Sequence, residues 1–395
     1  MDRSYRVAVI GVGGIGSAAC YWAARLGGGR VLGLEQFELF HSRGESQDHS
    51  RIIRRAQHQE PYASLAGPAY DTWREVEAES GQTLVTETGG LVIEAVQERA
   101  GLATGSRNIG GYVDAFERHG VPYELLDAAA LQQRWPQFHL SGDEQAVYQE
   151  SSGIVDAARA NAVHVSLARS HGADVRGSSP VRAVVPTDQG IEVVTDDETY
   201  LVERVITTSG AWTNGVLPGL QAPLPLTVTQ EQVTYYSTPN LAEFSAPRFP
   251  VFMWHGRHNF YGFPVYGEVA TKLGQHLGGN VVTADTRSFT PDPERVARQA
   301  DFLQQRLPGF LGPELYTKTC LYTIPPDQDF VLARVPAEPR ISVFIGAGHA
   351  YKFASLLGRL LAELALTDRD RPELAAFRLD RPALTDPSFV PTLHV

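Results

Sequence analysis

The sequence predicts a mixed α/β protein in which a Rossmann-like nucleotide-binding domain is interleaved with a second domain built on an antiparallel sheet. Three observations predict this fold. Near residue 11 an apolar run enters a glycine-rich turn, followed by a helical pattern and a second apolar run. Between residues 224 and 277 aromatic and β-branched runs alternate with Pro and Gly, which is typical of antiparallel strands. From residue 341 the strand, glycine turn and helix pattern returns.

The glycine turn has the spacing and flanks of a dinucleotide-binding site. Gly11 allows a tight turn, Gly13 lets the backbone approach a pyrophosphate, and Gly16 permits close helix packing. The helix start supplies amide donors and a positive dipole end. Glu35 is placed to accept a hydrogen bond from an adenosine ribose hydroxyl and disfavours a ribose phosphate, so we expect FAD or NAD rather than NADP. The cofactor-binding residues predicted here are Gly11, Gly13, Gly14, Ile15, Gly16 and Glu35.

The composition limits the classes of function. A length of 395 residues predicts two domains, and a net charge of -11 argues against nucleic-acid or anionic-membrane partners. With only two cysteines, Cys20 and Cys320, neither a disulfide framework nor a multi-cysteine metal site is expected, and Cys20 is predicted only to pack within a helix. The apolar runs are short and the first strand follows the amino terminus directly, so a cytoplasmic location is expected.

The remaining elements follow from periodicity. Helices are predicted at residues 62–79, 156–171, 291–306 and 351–366, short strands at 83–93, and mixed helical material from there to about 148. In the helix at 62–79 the side expected to be buried carries Leu65, Tyr70, Trp73 and Val76. The nucleotide-binding domain is predicted to comprise residues 1–82, 149–223 and 321–395, and the substrate domain residues 83–148 and 224–320.

Four segments together resemble the family of monomeric sarcosine oxidase and N-methyltryptophan oxidase, within the FAD-dependent amino-acid oxidases. Their order and approximate spacing match this family over nearly the whole chain. The segments are the glycine turn, Ser50-Arg51-Ile52-Ile53-Arg54, Tyr261-Gly262-Phe263-Pro264 running to Lys272 and His276, and Cys320-Leu321-Tyr322-Thr323 with Gly348-His349-Ala350-Tyr351-Lys352-Phe353.

The resemblance implies FAD attached through an 8α-thioether to Cys320. It also implies that Arg51 lies close to the flavin ring and that Ser50, Gly210, Gly348 and His349 contact the cofactor, the last through backbone amides at a helix start. One loop departs from the family. Where the family has His-His-Gly-Asp-Thr-Arg, this chain has Ser46-Gln47-Asp48-His49-Ser50-Arg51, and since Gln47 is neither an acid nor a base, slow or incomplete flavin attachment is expected.

The resemblance also assigns the substrate side of the site. Arg54 and Lys352 match a pair that binds the substrate carboxylate, with Lys352 also at the cofactor and Tyr322 beside the substrate. Lys272 matches a lysine near flavin N5 that promotes reaction with oxygen. Tyr261 and His276 are expected to line the same face.

The sequence therefore predicts an FAD-dependent oxidase of secondary-amine amino acids that reduces dioxygen to hydrogen peroxide. Sarcosine is the default substrate. The alternatives are a cyclic amino acid such as pipecolate or proline, a bulkier N-methyl amino acid, a flavin dehydrogenase that does not use oxygen, and an inactive flavin-binding module. The partners expected are the small amino acid and dioxygen, no metal is expected, and a monomer is the expected state.

Overall fold

The structure is a computed structural model that describes residues 4–100, 108–217, 223–367, 369 and 371–391. Parts of the predicted domain ranges lie outside the described residues, namely 1–3, 101–107, 218–222, 368, 370 and 392–395. Strands and helices are numbered along the chain, and the strands form three sheets.

The first sheet carries the glycine turn. Its strand β1 (Ser4–Ile10) pairs in parallel with β2 (Val31–Leu34) and with β12 (Thr199–Thr207). Strand β20 (Glu338–Ile345) pairs in parallel with β12, so the later part of the chain rejoins this sheet as predicted. The other strands are β9 (Asp174–Arg176), β10 (Val181–Thr187), β11 (Gly190–Thr195) and β19 (Val331–Val335).

Helices cover this sheet. Helix α1 (Gly14–Gly27) packs against α5 (Ala157–Ser170) and α8 (Ala354–Leu366), and α8 also contacts α2 (Glu60–Ser80). These helices match the predicted ones to within a few residues, with residues Tyr351–Phe353 forming a 3₁₀ turn before α8. All four side chains expected to be buried in α2, and Cys20 in α1, are buried. The remaining helices are α3 (Ile109–His119), α4 (Ala128–Arg134), α6 (Thr213–Val216), α7 (Pro293–Arg306) and α9 (Pro382–Thr385).

The second sheet is mostly antiparallel. Its order is β17-β13-β16-β15-β14-β5-β7-β6, with β18 pairing β13 on the other side, and only β14 and β5 run parallel. An aromatic core containing Phe249, Phe252 and Phe310 packs against it. The strands are β5 (Gly90–Ala95), β6 (Glu124–Asp127), β7 (Glu144–Gln149), β13 (Thr227–Tyr236), β14 (Val251–His255), β15 (Asn259–Phe263), β16 (Thr271–Gln275), β17 (Asn280–Val282) and β18 (Glu314–Ile324).

The expectation of mixed helical material up to residue 148 is only partly correct. Helices α3 and α4 lie there, but so do β6 and β7. Strand β7 pairs along its length with β5, about 50 residues earlier, and this non-local pairing outweighs the weak local pattern of a short segment. A third, small sheet joins β3 (Arg51–Ile53), β8 (Gly153–Val155) and β4 (Val85–Glu87).

The division into domains stays a prediction. Its boundary between residues 320 and 321 falls within β18, which pairs with β13 from end to end. The cysteine at this boundary therefore lies on a strand of the antiparallel sheet.

Gly16 is where α1 approaches the glycine turn most closely. A Cβ atom on Gly16 would lie 1.8 Å from the backbone oxygen of Gly11, which itself has φ +87. Backbone cannot rotate away as a side chain can, so a side chain here displaces the helix or the turn.

Gly16→Ala is expected to lower the free energy of unfolding by about 1–3 kcal/mol or more, because overpacking at a backbone contact is not relieved by a rotamer change. Gly215→Ala is the matched control, since a Cβ there meets nothing within 4 Å. Denaturant unfolding followed by circular dichroism measures both. Equal midpoints for the two variants would contradict the packing role of Gly16.

Candidate active site

One cavity of about 840 Å³ is lined both by the glycine turn and by strands of the antiparallel sheet. Every predicted site residue except Gly16 lines it, and Gly16 instead packs α1 against the turn. The predicted residues along the cavity are Gly11, Gly13, Gly14, Ile15, Glu35, Ser50, Arg51, Arg54, Gly210, Tyr261, Lys272, His276, Cys320, Tyr322, Gly348, His349 and Lys352.

The start of α1 is suited to an anionic ligand. Gly13 is the N-cap and makes no side-chain capping bond, and no acidic residue lies in the first turn. The amide of Gly14 donates to Ser46 Oγ at 2.8 Å, which brings a hydroxyl to the helix start. Backbone donors, a hydroxyl and the positive end of the dipole are the groups that bind phosphate.

Glu35 lies at the end of β2 and is 5% exposed. Its Oε2 accepts from the amide of Val12 at 2.9 Å, and its Oε1 accepts from the amide of Phe37 and lies 3.1 Å from His41 Nε2. These contacts hold the carboxylate beside the glycine turn, the place predicted for ribose recognition.

Arg51 organises the loop that departs from the family pattern. Its guanidinium donates to the backbone oxygens of Ser50, Glu45 and Gln47 at 3.0, 3.1 and 2.7 Å, and lies over the ring of Tyr351. Although burial opposes it, the charge of neighbouring groups raises the pKa of Arg51, so it stays cationic. The backbone of the loop therefore folds around the guanidinium of Arg51.

Lys272 on β16 is buried, with its side chain 2% exposed. Its ammonium lies 2.6 Å from Asp48 Oδ2 and donates to the backbone oxygen and the hydroxyl of Ser50 at 3.0 and 3.1 Å. The ring of Phe263 packs against it. Burial lowers the pKa of Lys272 to about 8, although the carboxylate of Asp48 acts in the opposite direction.

Arg54 and Lys352 form a cationic pair without a carboxylate partner among the described residues. Arg54 Nη1 is buried and has no hydrogen-bond partner there, and its guanidinium lies over the ring of Tyr112. Lys352 Nζ donates to the backbone oxygen of His349. Burial lowers the pKa of Lys352 well below its ordinary value, and Arg54 lowers it further. The guanidinium of Arg54, with its buried Nη1 atom, and the buried amine of Lys352 together favour binding of an anion.

Cys320 lies on β18 at the cavity wall. Burial raises the pKa of its thiol to about 11, against the opposing effect of Arg51. Across the sheet, Tyr261 and Tyr322 are hydrogen-bonded to each other, and the ring of His276 lies 5.9 Å from that of Tyr322. The residues expected on one face are thus brought together, and the thiol is protonated near neutral pH.

His349 is held by its surroundings. Its amide donates to the backbone oxygen of Gly346, its ring stacks on Phe330, and its Nε2 lies 3.2 Å from the backbone oxygen of Gln328. The amide expected to face the cofactor is therefore already used within the turn, so a cofactor role of this segment would fall to its neighbours.

Sequence reasoning missed the partners of the predicted residues. The role of Asp48 as the counter-ion of Lys272 was not predicted, nor that of Tyr235, whose hydroxyl donates to Asp48 at 2.5 Å, nor that of Glu45 beside Thr323. The loop departure marked the region, but its partners lie on strands far away in sequence. Burial raises the pKa of Glu45 to about 7.

Comparison with known proteins identifies the family. The family model described as DAO, FAD dependent oxidoreductase, matches residues 6–364. The chain belongs to this family. A monomeric sarcosine oxidase of Streptomyces avermitilis is 32% identical over 376 residues, which is 93% of this chain and 95% of that protein. An N-methyl-L-tryptophan oxidase of Yersinia pestis is 30% identical over 95% of this chain and 99% of its own length.

The fold of this FAD dependent oxidoreductase agrees with solved structures. The open form of NikD, an unusual amino acid oxidase essential for nikkomycin biosynthesis, superposes with a TM-score of 0.82 at 26% identity, covering 95% of this chain and 97% of that one. The predicted family and mixed α/β fold class are confirmed. The protein is an FAD-dependent amine oxidoreductase.

The residues of the cavity fit FAD. The turn at Gly11 and Gly13, the start of α1 and the carboxylate of Glu35 match a dinucleotide. The buried Arg54 Nη1, which has no hydrogen-bond partner among the described residues, marks a place for an anion. Within the described part of the chain, no group of three or more His, Cys, Asp or Glu side chains is arranged to hold a metal ion. Among those same residues, no helix combines the length and apolar character needed to cross a membrane.

Replacing Arg54 or Lys352 by Met is expected to weaken binding of a small carboxylic acid by about 2–4 kcal/mol, roughly 30- to 900-fold in Kd, because the bound carboxylate loses a buried cation. Spectral titration of the bound flavin measures the Kd. Affinity is also expected to fall as pH rises, since Lys352, whose pKa is lowered, loses its proton.

Arg55→Met is the matched control. It removes a neighbouring guanidinium that lies over the ring of Tyr70 and does not line the cavity. Its Kd is expected to equal that of the parent. If Arg54→Met and Lys352→Met also bind the acid as the parent does, the carboxylate site lies elsewhere.

Proposed function

We propose that this protein oxidises the secondary amine of an amino acid, with sarcosine as the first substrate to test. The observation that carries the proposal is that the unpartnered, buried Arg54 Nη1 and the buried amine of Lys352 line the same cavity as Lys272 and Cys320. An amino acid brings the carboxylate that this pair lacks. The amine then lies within the same cavity, and its distance from the bound carboxylate is set by the length of the substrate.

The protein groups bind and orient the substrate. Arg54 offers a planar fork whose direction is held by the ring of Tyr112, and Lys352 adds a second charge. The aromatic face of Tyr261, Tyr322 and His276 lines the same cavity and excludes water from the neutral amine. We assign Arg51, Lys272, His276 and Tyr261 to the catalytic face.

Bound FAD supplies the two-electron oxidation of the C–N bond. The substrate thereby becomes an imine, which water hydrolyses to an aldehyde and an amine. Dioxygen takes up the two electrons with two protons and leaves as hydrogen peroxide. Lys272 contributes a fixed positive charge where electrons pass to oxygen, because an anion forms as oxygen accepts the first electron.

The names of the relatives leave the substrate open between sarcosine and larger N-methyl amino acids. Steady-state assays with sarcosine, N-methyl-L-tryptophan, pipecolate and proline, each with an oxygen electrode and in parallel with an artificial electron acceptor, test the proposal. Oxygen uptake with a secondary-amine amino acid, matched by peroxide, is the expected result. Turnover with the artificial acceptor alone would instead establish a dehydrogenase.

Lys272→Met is expected to slow reoxidation of the flavin by oxygen by roughly a hundredfold or more, which corresponds to the loss of one preorganised charge. Anaerobic reduction by the substrate is the internal control and is expected to change far less. Stopped-flow absorbance measures both half-reactions. An unchanged reoxidation rate would remove Lys272 from the reaction with oxygen.

Cys320→Ser is expected to give a folded protein whose flavin is released by acid precipitation, since we propose that Cys320 carries the thioether. Because the thiol is protonated up to a pKa of about 11, attachment to the parent apoprotein is expected to become faster as pH rises toward that value. Yellow colour that remains in the acid pellet of Cys320→Ser would show that another residue carries the flavin. Cys20→Ser is the matched control for the second cysteine.

A further inference from the structure

Asp48 and Lys272 form a buried ion pair that the sequence did not predict. Asp48 Oδ2 lies 2.6 Å from Lys272 Nζ, and the two side chains are 4% and 2% exposed. Asp48 lies in the loop between β2 and β3, and Lys272 lies on β16, so the ion pair joins this loop to the antiparallel sheet. A buried pair is sensitive to loss of one partner, because the other charge is then left in a medium of low dielectric.

The backbone of Asp48 indicates that this residue is held in place by its side chain. Its φ of +146 lies in the region that favours glycine. The carboxylate makes four further contacts, one of them with Arg51 Nη1, which lies 3.7 Å from Oδ2. Oδ1 accepts from Tyr235 Oη at 2.5 Å and from the amide of His49 at 2.9 Å, and Lys318 Nζ lies 3.5 Å away.

The ammonium of Lys272 is fully engaged by protein groups. It has three N–H donors, and three acceptors lie within hydrogen-bonding distance, namely Asp48 Oδ2 and the backbone oxygen and hydroxyl of Ser50. With its donors satisfied in this way, Lys272 acts on the cavity through its charge. Of these three acceptors, only Asp48 carries a negative charge.

We propose that Asp48 is a positioning residue that keeps Lys272 charged and fixed at the cavity wall for reaction with the electron acceptor. The identity of that acceptor rests on the proposed function, whereas the pairing of Asp48 with Lys272 does not. This pairing explains why a strained non-glycine residue occupies this loop position, since the carboxylate is the only acidic group that contacts Lys272 among the described residues.

The groups that surround the pair set the sign of its pH dependence. Burial and the charge of Arg51 disfavour the ammonium of Lys272, whereas Asp48 favours it, and the pKa of Lys272 is about 8. Without Asp48, the ammonium of Lys272 is expected to lose its proton at a lower pH. The titratable or charged groups facing the pair come from three strands. They are Arg51 on β3, Tyr235 on β13, and three residues on β18, namely Tyr316, Lys318 and Cys320.

The first test is the pH profile of flavin reoxidation in the holoenzyme, measured by stopped flow. In the parent, the rate constant is expected to fall as pH rises through about 8, where Lys272 loses its proton. In Asp48→Asn, and equally in Asp48→Gly, the fall is expected at least one pH unit lower. Asp48→Gly also relieves the backbone, so agreement between the two variants assigns the shift to the lost charge.

Glu231→Gln is the matched control, because Glu231, on β13 of the same sheet as Lys272, forms another buried ion pair, with Arg295 of α7 at 2.7 Å. It is expected to lower stability and to leave the pH profile in place. A profile of Asp48→Asn that coincides with that of the parent would overturn the proposal.

A second test does not depend on activity. Denaturant midpoints are measured for Asp48→Asn, Lys272→Met and the double variant. Asp48→Asn is expected to lower the midpoint in the parent, and this loss is expected to shrink by at least half when Lys272 is already Met. An equal loss in both backgrounds would overturn the pairing. If the parent flavin does not react with oxygen at any pH, the proposed oxidase function fails, while the midpoints still decide the pairing.

Discussion

The folded loop at residues 45–51 is the constraint on which the rest of the site depends. Arg51 binds three backbone oxygens of this loop, which gives it one conformation. From that conformation, Ser46 reaches the start of α1 and Asp48 reaches Lys272 in the antiparallel sheet. The loop therefore connects the nucleotide-binding turn to a strand of the antiparallel sheet that lines the same cavity.

Buried charge is distributed unevenly along this cavity. The cations near the loop, Arg51 and Lys272, share the carboxylate of Asp48. Burial raises the pKa of this carboxyl group, but the two charges outweigh burial and hold the pKa below its ordinary value. Arg54 and Lys352 have no such carboxylate among the described residues. Arg51 and Lys272 are therefore stable in the protein without a ligand, whereas Arg54 and Lys352 are stabilised when an anion binds. The same cavity thus contains one group of cations that a carboxylate of the protein neutralises and a second group that a bound anion would neutralise.

Much of this organisation could be predicted because it is local. The glycine turn, the helices at the amino and carboxyl ends of the chain, and the aromatic strands from residue 224 onward follow from periodicity and turn chemistry over short windows. The prediction for the segment before residue 148 was only partly correct, because β7 is defined by its pairing with β5 rather than by its own sequence pattern. Turn chemistry and resemblance to a family supplied the candidate site residues, and all of them except Gly16 line one cavity.

By itself, the sequence determined the family, the nucleotide-binding turn and which residue types are available for the site. Tertiary structure decided which of them meet. Ser50 and Lys272 are 222 positions apart, and Asp48 and Tyr235 are 187 apart, so no local pattern couples them. The acidic side chain at position 48 is unremarkable in a polar loop until the sheet places a buried ammonium beside it. Burial then changes the proton affinity of both groups, and burial is a property of the packed molecule rather than of any segment.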